Sequence, residues 1–328
     1  MCSGHTALSR SYSANGSCKA GMVRHALLLL SLAVLAGCAT TATVEESAVA
    51  ASELYAGEPV ALHATEMPVT SAGEARARAR DALAERDVDL ALYLFVQAVN
   101  LDPEDQESLY AIGAIHAERG NNELATRAFA RILALDPAHA LANQDLGLAL
   151  FDARDFVAAE GYLLKAVELN PSLWRAHNTL GILADRNEQY DRAISFYSSA
   201  LQTQPMIASI RNNRGYSSYL SGDLAAAKQD LLVALDIDSE YDRAWRNLGL
   251  VFAREQDYER ALSAMTRAIP RHVALNDIGY VAMLDGNYNE AHEFFERAMV
   301  ESPRHYQTAQ DNLVELSRRR SPGLLTVR

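Results

Sequence analysis

Prolines recur every 34 residues in the middle of this 328-residue chain, and a glycine follows each of them after ten residues. The prolines are Pro103, Pro137, Pro171 and Pro205, and the glycines are Gly113, Gly147, Gly181 and Gly215. The next glycine in the series is Gly249, although Ser239 occupies the place of its proline. A fixed period of this length predicts one supersecondary unit repeated in a stack, in which each unit contacts only its neighbours.

Two further positions keep a constant distance from the glycine. An alanine follows it after twelve residues, and a bulky apolar residue follows it after sixteen. The alanines are Ala125, Ala159, Ala193, Ala227, Ala261 and Ala291, and the bulky residues are Phe129, Leu163, Tyr197, Leu231, Met265 and Phe295. This spacing predicts two antiparallel helices per unit, whose backbones approach closely at the glycine and the alanine. The proline ends the second helix, because its ring cannot continue one.

The pattern resembles the tetratricopeptide repeat, most fully where Trp245, Leu248, Gly249 and Phe252 precede Ala261. The resemblance implies an all-α superhelix, or α-solenoid, of about seven helix-turn-helix repeats with a C-terminal capping helix. Counting from the prolines predicts repeats at 72–105, 106–139, 140–173, 174–207, 208–241, 242–271 and 272–305, a cap at 306–320 and a tail at 321–328. The sixth repeat is four residues short; its second helix is expected to reach Ile269 and the next to begin near Val273.

Residues 22–38 have the layout of a secretion signal. A basic stretch around Arg24 precedes a predominantly apolar region of eleven residues at 26–36, which is too short to span a membrane as a helix. Residues 35–38, Leu-Ala-Gly-Cys, are similar to the lipobox of bacterial lipoproteins. That resemblance implies lipidation at Cys38 and, with Ala39 following, an anchor on the periplasmic face of the outer membrane. Met22 is then the expected start, and residues 1–21 a non-native or unprocessed extension.

Charge and cysteine content agree with this interpretation. The net charge is −12, and residues 1–37 carry three positive and no negative charges, so their removal would leave −15. A scaffold this acidic is a poor partner for nucleic acid or anionic lipid head groups. Cys2 and Cys18 would be removed and Cys38 would carry lipid, so we expect no disulfide.

Residues 38–71 separate the expected anchor from the repeats. Thr, Ala, Ser and Glu dominate them, without a sustained apolar period. Such a composition cannot bury enough apolar surface to order itself. We therefore predict a flexible tether, whose 33 residues after Cys38 would have an r.m.s. reach of roughly 30 Å.

No residue pattern in the chain predicts catalysis or a cofactor. A glycine-rich phosphate loop, a His-Glu-x-x-His motif, a cysteine pair and a nucleophile elbow are all absent from the sequence. The histidines are scattered over different repeats rather than gathered at metal-ligand spacing. We therefore expect no catalytic, metal-binding or cofactor-binding residues, and a binding scaffold rather than an enzyme.

A position three residues before each repeat glycine faces the concave groove in repeats of this kind. It holds Tyr110, Gln144, Asn178, Asn212, Arg246 and Asn276, and nearby stand Arg175, Arg211, Arg243, Asn213 and Asn247. Amides can hydrogen-bond an extended peptide backbone, and arginines bind carboxylates. We predict a peptide-binding groove formed by Asn178, Asn212, Asn276, Arg175, Arg243 and Arg246. The alternative is a solvated polar face.

Two stretches, 212–223 and 275–286, resemble the TadD-type tetratricopeptide lipoproteins of tight-adherence (Tad, Flp-type) pilus systems. The resemblance covers residues 22–316 and implies a scaffold that supports assembly or localisation of the pilus secretin, with no nucleic-acid partner. A type IV pilus pilotin, a scaffold for polysaccharide export or cell-wall synthesis enzymes, and a soluble cytoplasmic adaptor starting at Met1 are the alternatives. Neighbouring genes would separate them: pilin, secretin and secretion-ATPase genes for the pilus role, glycosyltransferase genes for polysaccharide export.

Overall fold

A computed structural model of the chain describes Leu54 and residues 69–320, and residues 69–320 contain only helices and turns. Their fifteen α-helices form seven antiparallel pairs and one terminal helix. The predicted all-α solenoid of about seven repeats with a capping helix is therefore confirmed. The predictions for the signal peptide, for lipidation at Cys38 and for the two ends of the chain lie outside the described residues.

The helices have similar lengths, with one exception in the sixth pair. They are α1 (Ala72–Ala84), α2 (Val88–Leu101), α3 (Gln106–Glu118), α4 (Asn122–Leu135), α5 (Ala140–Asp152), α6 (Phe156–Leu169), α7 (Trp174–Arg186), α8 (Tyr190–Thr203), α9 (Ala208–Ser221), α10 (Leu224–Ile237), α11 (Asp242–Arg254), α12 (Tyr258–Met265), α13 (Arg271–Leu284), α14 (Tyr288–Glu301) and α15 (Gln307–Arg320). Odd numbers mark the first helix of each pair.

Within a pair, the repeat glycine lies against the bulky residue of the second helix. A methyl carbon placed on Gly181 would lie 2.5 Å from Cε1 of Tyr197, which is far inside van der Waals contact. The sequence pattern had suggested that Gly181 packs against Ala193, but its nearest side-chain neighbour is Tyr197. Ala193 lies one turn before Tyr197 on α8 and is fully buried, and its small side chain leaves room for the tyrosine ring.

The turn inside each pair is built from a left-handed residue followed by a helix cap. The left-handed residues are Arg86, Gly120, Arg154, Glu188, Gly222, Gln256 and Gly286, with φ between 58° and 94°. Four of the seven are not glycine, although this conformation is costly for a side chain. At four turns the next residue is an aspartate whose side chain accepts from the backbone N–H three residues on, as Asp155 does from Ala158.

The turns between pairs use the extended residue that a following proline favours. Helix α2 ends at Leu101, and Asp102 before Pro103 has φ −137° and ψ 96°. Asp238 has nearly the same conformation, φ −141° and ψ 97°, although Ser239 follows it. The turn therefore forms without the proline.

The sixth pair differs from the others in its second helix. Helix α12 has eight residues and ends at Met265, four residues before the expected end. The hydroxyl of Thr266 donates to the carbonyl oxygen of Leu262 over 2.8 Å, and the Arg267 guanidinium stacks 4.3 Å from the centre of the Trp245 ring. The chain turns here, and α13 begins at Arg271.

One residue of the predicted tether packs against the repeats. Leu54 is 1% exposed and belongs to the apolar core formed by helices α1 to α5, and its carbonyl oxygen lies 2.6 Å from Nε2 of His116. The tether prediction is therefore wrong at Leu54. Composition predicts that the segment cannot order itself, but it says nothing about packing on a surface that the repeats have already formed.

Two buried histidines are held in their neutral form. Nε2 of His177 lies 3.0 Å from the carbonyl oxygen of Pro171, so Nε2 carries the proton, as it does in His116 beside Leu54. The Nδ1 atoms of both rings are buried without a hydrogen-bond partner. Burial lowers the pKa of both histidines, because the charged ring would be poorly solvated there.

Replacing Gly181 with alanine should destabilise the repeat array. The ring of Tyr197 cannot move aside freely, because its hydroxyl donates to Asp185 over 2.7 Å. We expect a loss of about 1–3 kcal/mol from overpacking, partly offset by the better helix propensity of alanine. Gly161 in α6 is the matched control, since a methyl carbon there meets nothing within 4 Å. Gly161→Ala should keep or raise the thermal midpoint; an equal effect of both changes would contradict the assigned contact.

Acid should destabilise the fold through His177. Its folded pKa lies below the unfolded value of about 6.5, so the unfolded chain binds the proton first as the pH falls. The stabilisation is complete above that value and is lost on acidification below it, by at most about 1.4 kcal/mol per pH unit. Thermal midpoints at several pH values should fall less steeply for His177→Gln than for the parent. His305→Gln, at an exposed site, should follow the parent.

Candidate peptide-binding groove

The first helices of the repeats form one continuous face of the solenoid. Each odd-numbered helix from α3 to α13 contacts the next odd-numbered helix, up to α15, whereas successive even-numbered helices make no comparable contact in the described residues. The array therefore curves towards the odd-numbered helices. We call this concave side the inner face.

Hydrogen bonds cross the inner face between successive repeats. Each bond joins the first helices of two successive repeats. One partner stands three residues before the glycine of its own repeat, and the other stands two residues before the glycine of the following repeat. The pairs are Tyr110–Asp145 at 2.5 Å, Asn178–Asn213 at 3.5 Å, Asn212–Asn247 at 2.9 Å and Arg246–Asp277 at 2.8 Å, and Asn276–Asn312 at 2.9 Å continues the series into α15. We call this series the inner ladder.

The three predicted asparagines are members of the inner ladder. The side-chain oxygens of Asn178, Asn212 and Asn276 each accept from an asparagine amide of the next helix. Asn212 and Asn276 are only 4% and 5% exposed, and Asn178 is half-buried. The structure thus places the three asparagines in one row. The side-chain oxygen of each accepts a hydrogen bond from the first helix of the next repeat or, for Asn276, from α15. The sequence analysis had assigned these groups to a ligand and did not foresee the bonds between repeats.

The three predicted arginines differ in how far they are engaged. Arg246 makes two hydrogen bonds to Oδ2 of Asp277, at 3.2 and 2.8 Å. Burial raises the pKa of Asp277, and the Arg246 guanidinium opposes that shift. Arg175 is exposed, with its closest carboxylate oxygen, on Asp145, 4.0 Å away. Arg243 is exposed and has no ion pair among the described residues. Arg175 and Arg243 therefore have donors available for a ligand.

A pair of tyrosines also lies on the inner face. Tyr216 and Tyr219 stand four and seven residues after Asn212, hence on the same side of α9. Their rings are stacked, with centres 6.0 Å apart and an angle of 15° between planes, and both are half-buried. Burial raises the pKa of Tyr219 to about 12, so its hydroxyl stays protonated at neutral pH. The spacing from Asn212 was the sequence signal that would have found this pair.

Other kinds of site find no support in the described part of the chain. No group of three or more His, Cys, Asp or Glu side chains there is arranged to hold a metal ion. None of the helices between residues 69 and 320 has the length and apolar content needed to cross a membrane.

The sequence profile of the tetratricopeptide repeat family matches the chain in four segments, which overlap in two pairs. They are residues 76–140, 117–173, 178–242 and 221–272. Together these segments cover more than half of the chain.

Individual proteins share shorter or weaker similarity. The BBSome complex member BBS4 of Bos taurus is 25% identical over 190 residues, which are 57% of this chain and 36% of that protein. The chain thus spans about a third of the length of this relative. A tetratricopeptide repeat protein from Parabacteroides merdae is 13% identical with a TM-score of 0.50 and covers 75% of this chain and 98% of its own. The pilF protein of Pseudomonas aeruginosa is 18% identical with a TM-score of 0.49, over 65% and 98%.

At these identities, the solved structures bear on the fold alone. The matched profile segments, the seven helix pairs and the glycine contacts inside them agree with one another. The chain belongs to the tetratricopeptide repeat family, whose members are scaffolds for protein–protein interaction.

Proposed function

We propose that this chain is a non-enzymatic scaffold lipoprotein of the bacterial outer membrane, held at the periplasmic face by lipid on Cys38. In this proposal it binds an extended segment of a protein partner along its inner face and supports assembly of the secretin in a Tad-type pilus system. The observation that carries the binding role is the pair of available arginines, Arg175 and Arg243, on the same face as the stacked tyrosines.

The chemistry of the inner face favours a particular class of ligand. Arg175 and Arg243 stand three residues before Asn178 and Arg246, so each shares a side of its helix with a residue of the inner ladder. Guanidinium groups bind carboxylates through charge-assisted hydrogen bonds, and tyrosine rings supply rigid contact area. A peptide with acidic side chains or a free C-terminus, and with apolar residues between them, fits these groups.

The assignment to a pilus system depends on the sequence. The lipobox-like residues 35–38 and the resemblance of 212–223 and 275–286 to TadD-type repeats support it. By that resemblance the partner is the secretin of the machine. The pilotin and the polysaccharide or cell-wall scaffold share the same architecture, and the neighbouring genes separate them from the Tad-type role.

The membrane anchor is tested by changing the lipid acceptor. Cys38→Ser should abolish labelling with a fatty-acid probe and move the protein from the membrane fraction to the soluble fraction, because the sulfur that carries the acyl chains is gone. Thr40→Ser is the matched control, since it changes a side chain two positions after the lipid acceptor and leaves Cys38 intact. Unchanged membrane retention and mass in the Cys38 variant would overturn the lipoprotein assignment.

The inner face is tested by charge reversal. The double change Arg175→Glu and Arg243→Glu should lower recovery of the secretin with an affinity-tagged chain, and lower pilus number, by about tenfold or more, since each charge-assisted bond contributes about 1.5–3 kcal/mol.

The matched control reverses Arg127 and Lys165, which lie on the second helices α4 and α6 and alter net charge equally. Both double variants should retain the helical circular dichroism of the parent. If secretin recovery is the same for the two, the partner docks away from the inner face.

A further inference from the structure

Helix α2, the second helix of the first repeat, buries residues at positions that are partly exposed in α4 and α6, the second helices of the next two repeats. Leu92, Tyr93, Leu94 and Val96 of α2 are 0%, 4%, 1% and 3% exposed. The equivalent residues of α4, 34 positions later, are Thr126, Arg127, Ala128 and Ala130, and those of α6 are Glu160, Gly161, Tyr162 and Leu164. Arg127, Ala130 and Tyr162 among them are exposed. A surface that is partly exposed and more polar in the next two repeats is thus apolar and covered in the first.

Two described residues that precede the first helix pack in the same apolar cluster as these α2 residues. Leu54 is 1% exposed and lies in the same core cluster as Tyr93, Leu94 and Val96, and Val69 packs against that cluster. His116 donates to the Leu54 carbonyl oxygen over 2.6 Å, which satisfies a backbone acceptor that burial would otherwise leave unpaired. A side-chain contact and a backbone hydrogen bond therefore fix the same residue.

We propose that the outer face of α2, defined by Leu92, Tyr93, Leu94 and Val96, is the docking site for the chain's own segment around Leu54. The occupant is intramolecular, because Leu54 is buried in the same apolar cluster as these residues, and 16 residues of the same chain join it to Ser71, the cap of α1. In this proposal the segment closes the N-terminal end of the solenoid, because α1 and α2 are the first helix pair within residues 69–320.

The docked segment shortens the connection to the membrane. Only the 15 residues between Cys38 and Leu54 remain as tether, with an r.m.s. reach of roughly 20 Å in place of roughly 30 Å for the full stretch. This consequence depends on the proposed lipid at Cys38, whereas the docking does not. The first repeat would then lie closest to the membrane, and the later repeats would extend into the periplasm.

Hydrogen exchange followed by mass spectrometry tests the docking in the full chain carrying Cys38→Ser, so that its result is independent of lipidation. Peptides that contain Leu54 should exchange about tenfold or more slowly than unstructured chain. Leu54→Asp should remove that protection and speed exchange in α2 while leaving α10 unchanged. Val157→Asp, at a site that is 87% exposed, is the control for the added charge.

A second variant weakens the docking from the other side. Tyr93→Arg with Val96→Ala gives α2 the residues that α4 carries at the equivalent positions, so the helix itself should persist. Exchange at Leu54 should rise to that of Leu54→Asp. Unprotected Leu54 peptides in the parent would overturn the proposal. So would protection of α2 that rises with protein concentration, because a second copy would then be its cover.

Discussion

The packing of a glycine backbone against a bulky side chain sets the geometry of six of the seven helix pairs. Because Gly181 has no Cβ, the ring of Tyr197 lies directly on the main chain of α7, and Gly113 receives Phe129 in the same way. The distance between the two helices of a pair is therefore fixed by one side chain. Units with the same spacing stack in the same orientation, which is why equivalent residues of successive repeats meet on the inner face.

The inner ladder adds polar specificity to this apolar packing. Buried amides are costly unless they are paired, so a ladder bond is made only when successive first helices stand in the correct register. The step from α5 to α7 is different: Gln144 donates to Asp145 of its own helix over 3.0 Å, and Arg175 stands 4.0 Å from the same aspartate. The available arginine thus lies where the ladder is least complete.

The sequence predicted the parts of the structure that repeat. Proline, glycine and alanine at constant spacing reflect a backbone geometry that each unit needs independently, so the helix pairs could be predicted directly. The short sixth repeat was predicted too, except that its second helix ends at Met265 and not at Ile269. Contacts between units were harder to foresee. The Asn212–Asn247 bond joins residues 35 positions apart, and only the helix stacking reveals that their amides meet. Leu54 was missed for a similar reason, since the His116 ring that it contacts lies on α3, 62 positions away, and not in its own segment.

At the short helix α12 the repeat length in the sequence changes, but the pattern of hydrogen bonds along the inner face does not. Arg246 and Asp277 are 31 residues apart rather than 35, yet they form the same step of the inner ladder as the longer repeats do. Helix α11 contacts α13 directly, so the missing residues are taken entirely from the outer side. A ligand lying along the inner face would therefore meet a ladder that continues across this point. Insertions and deletions in second helices can therefore accumulate during evolution without changing what the groove recognises.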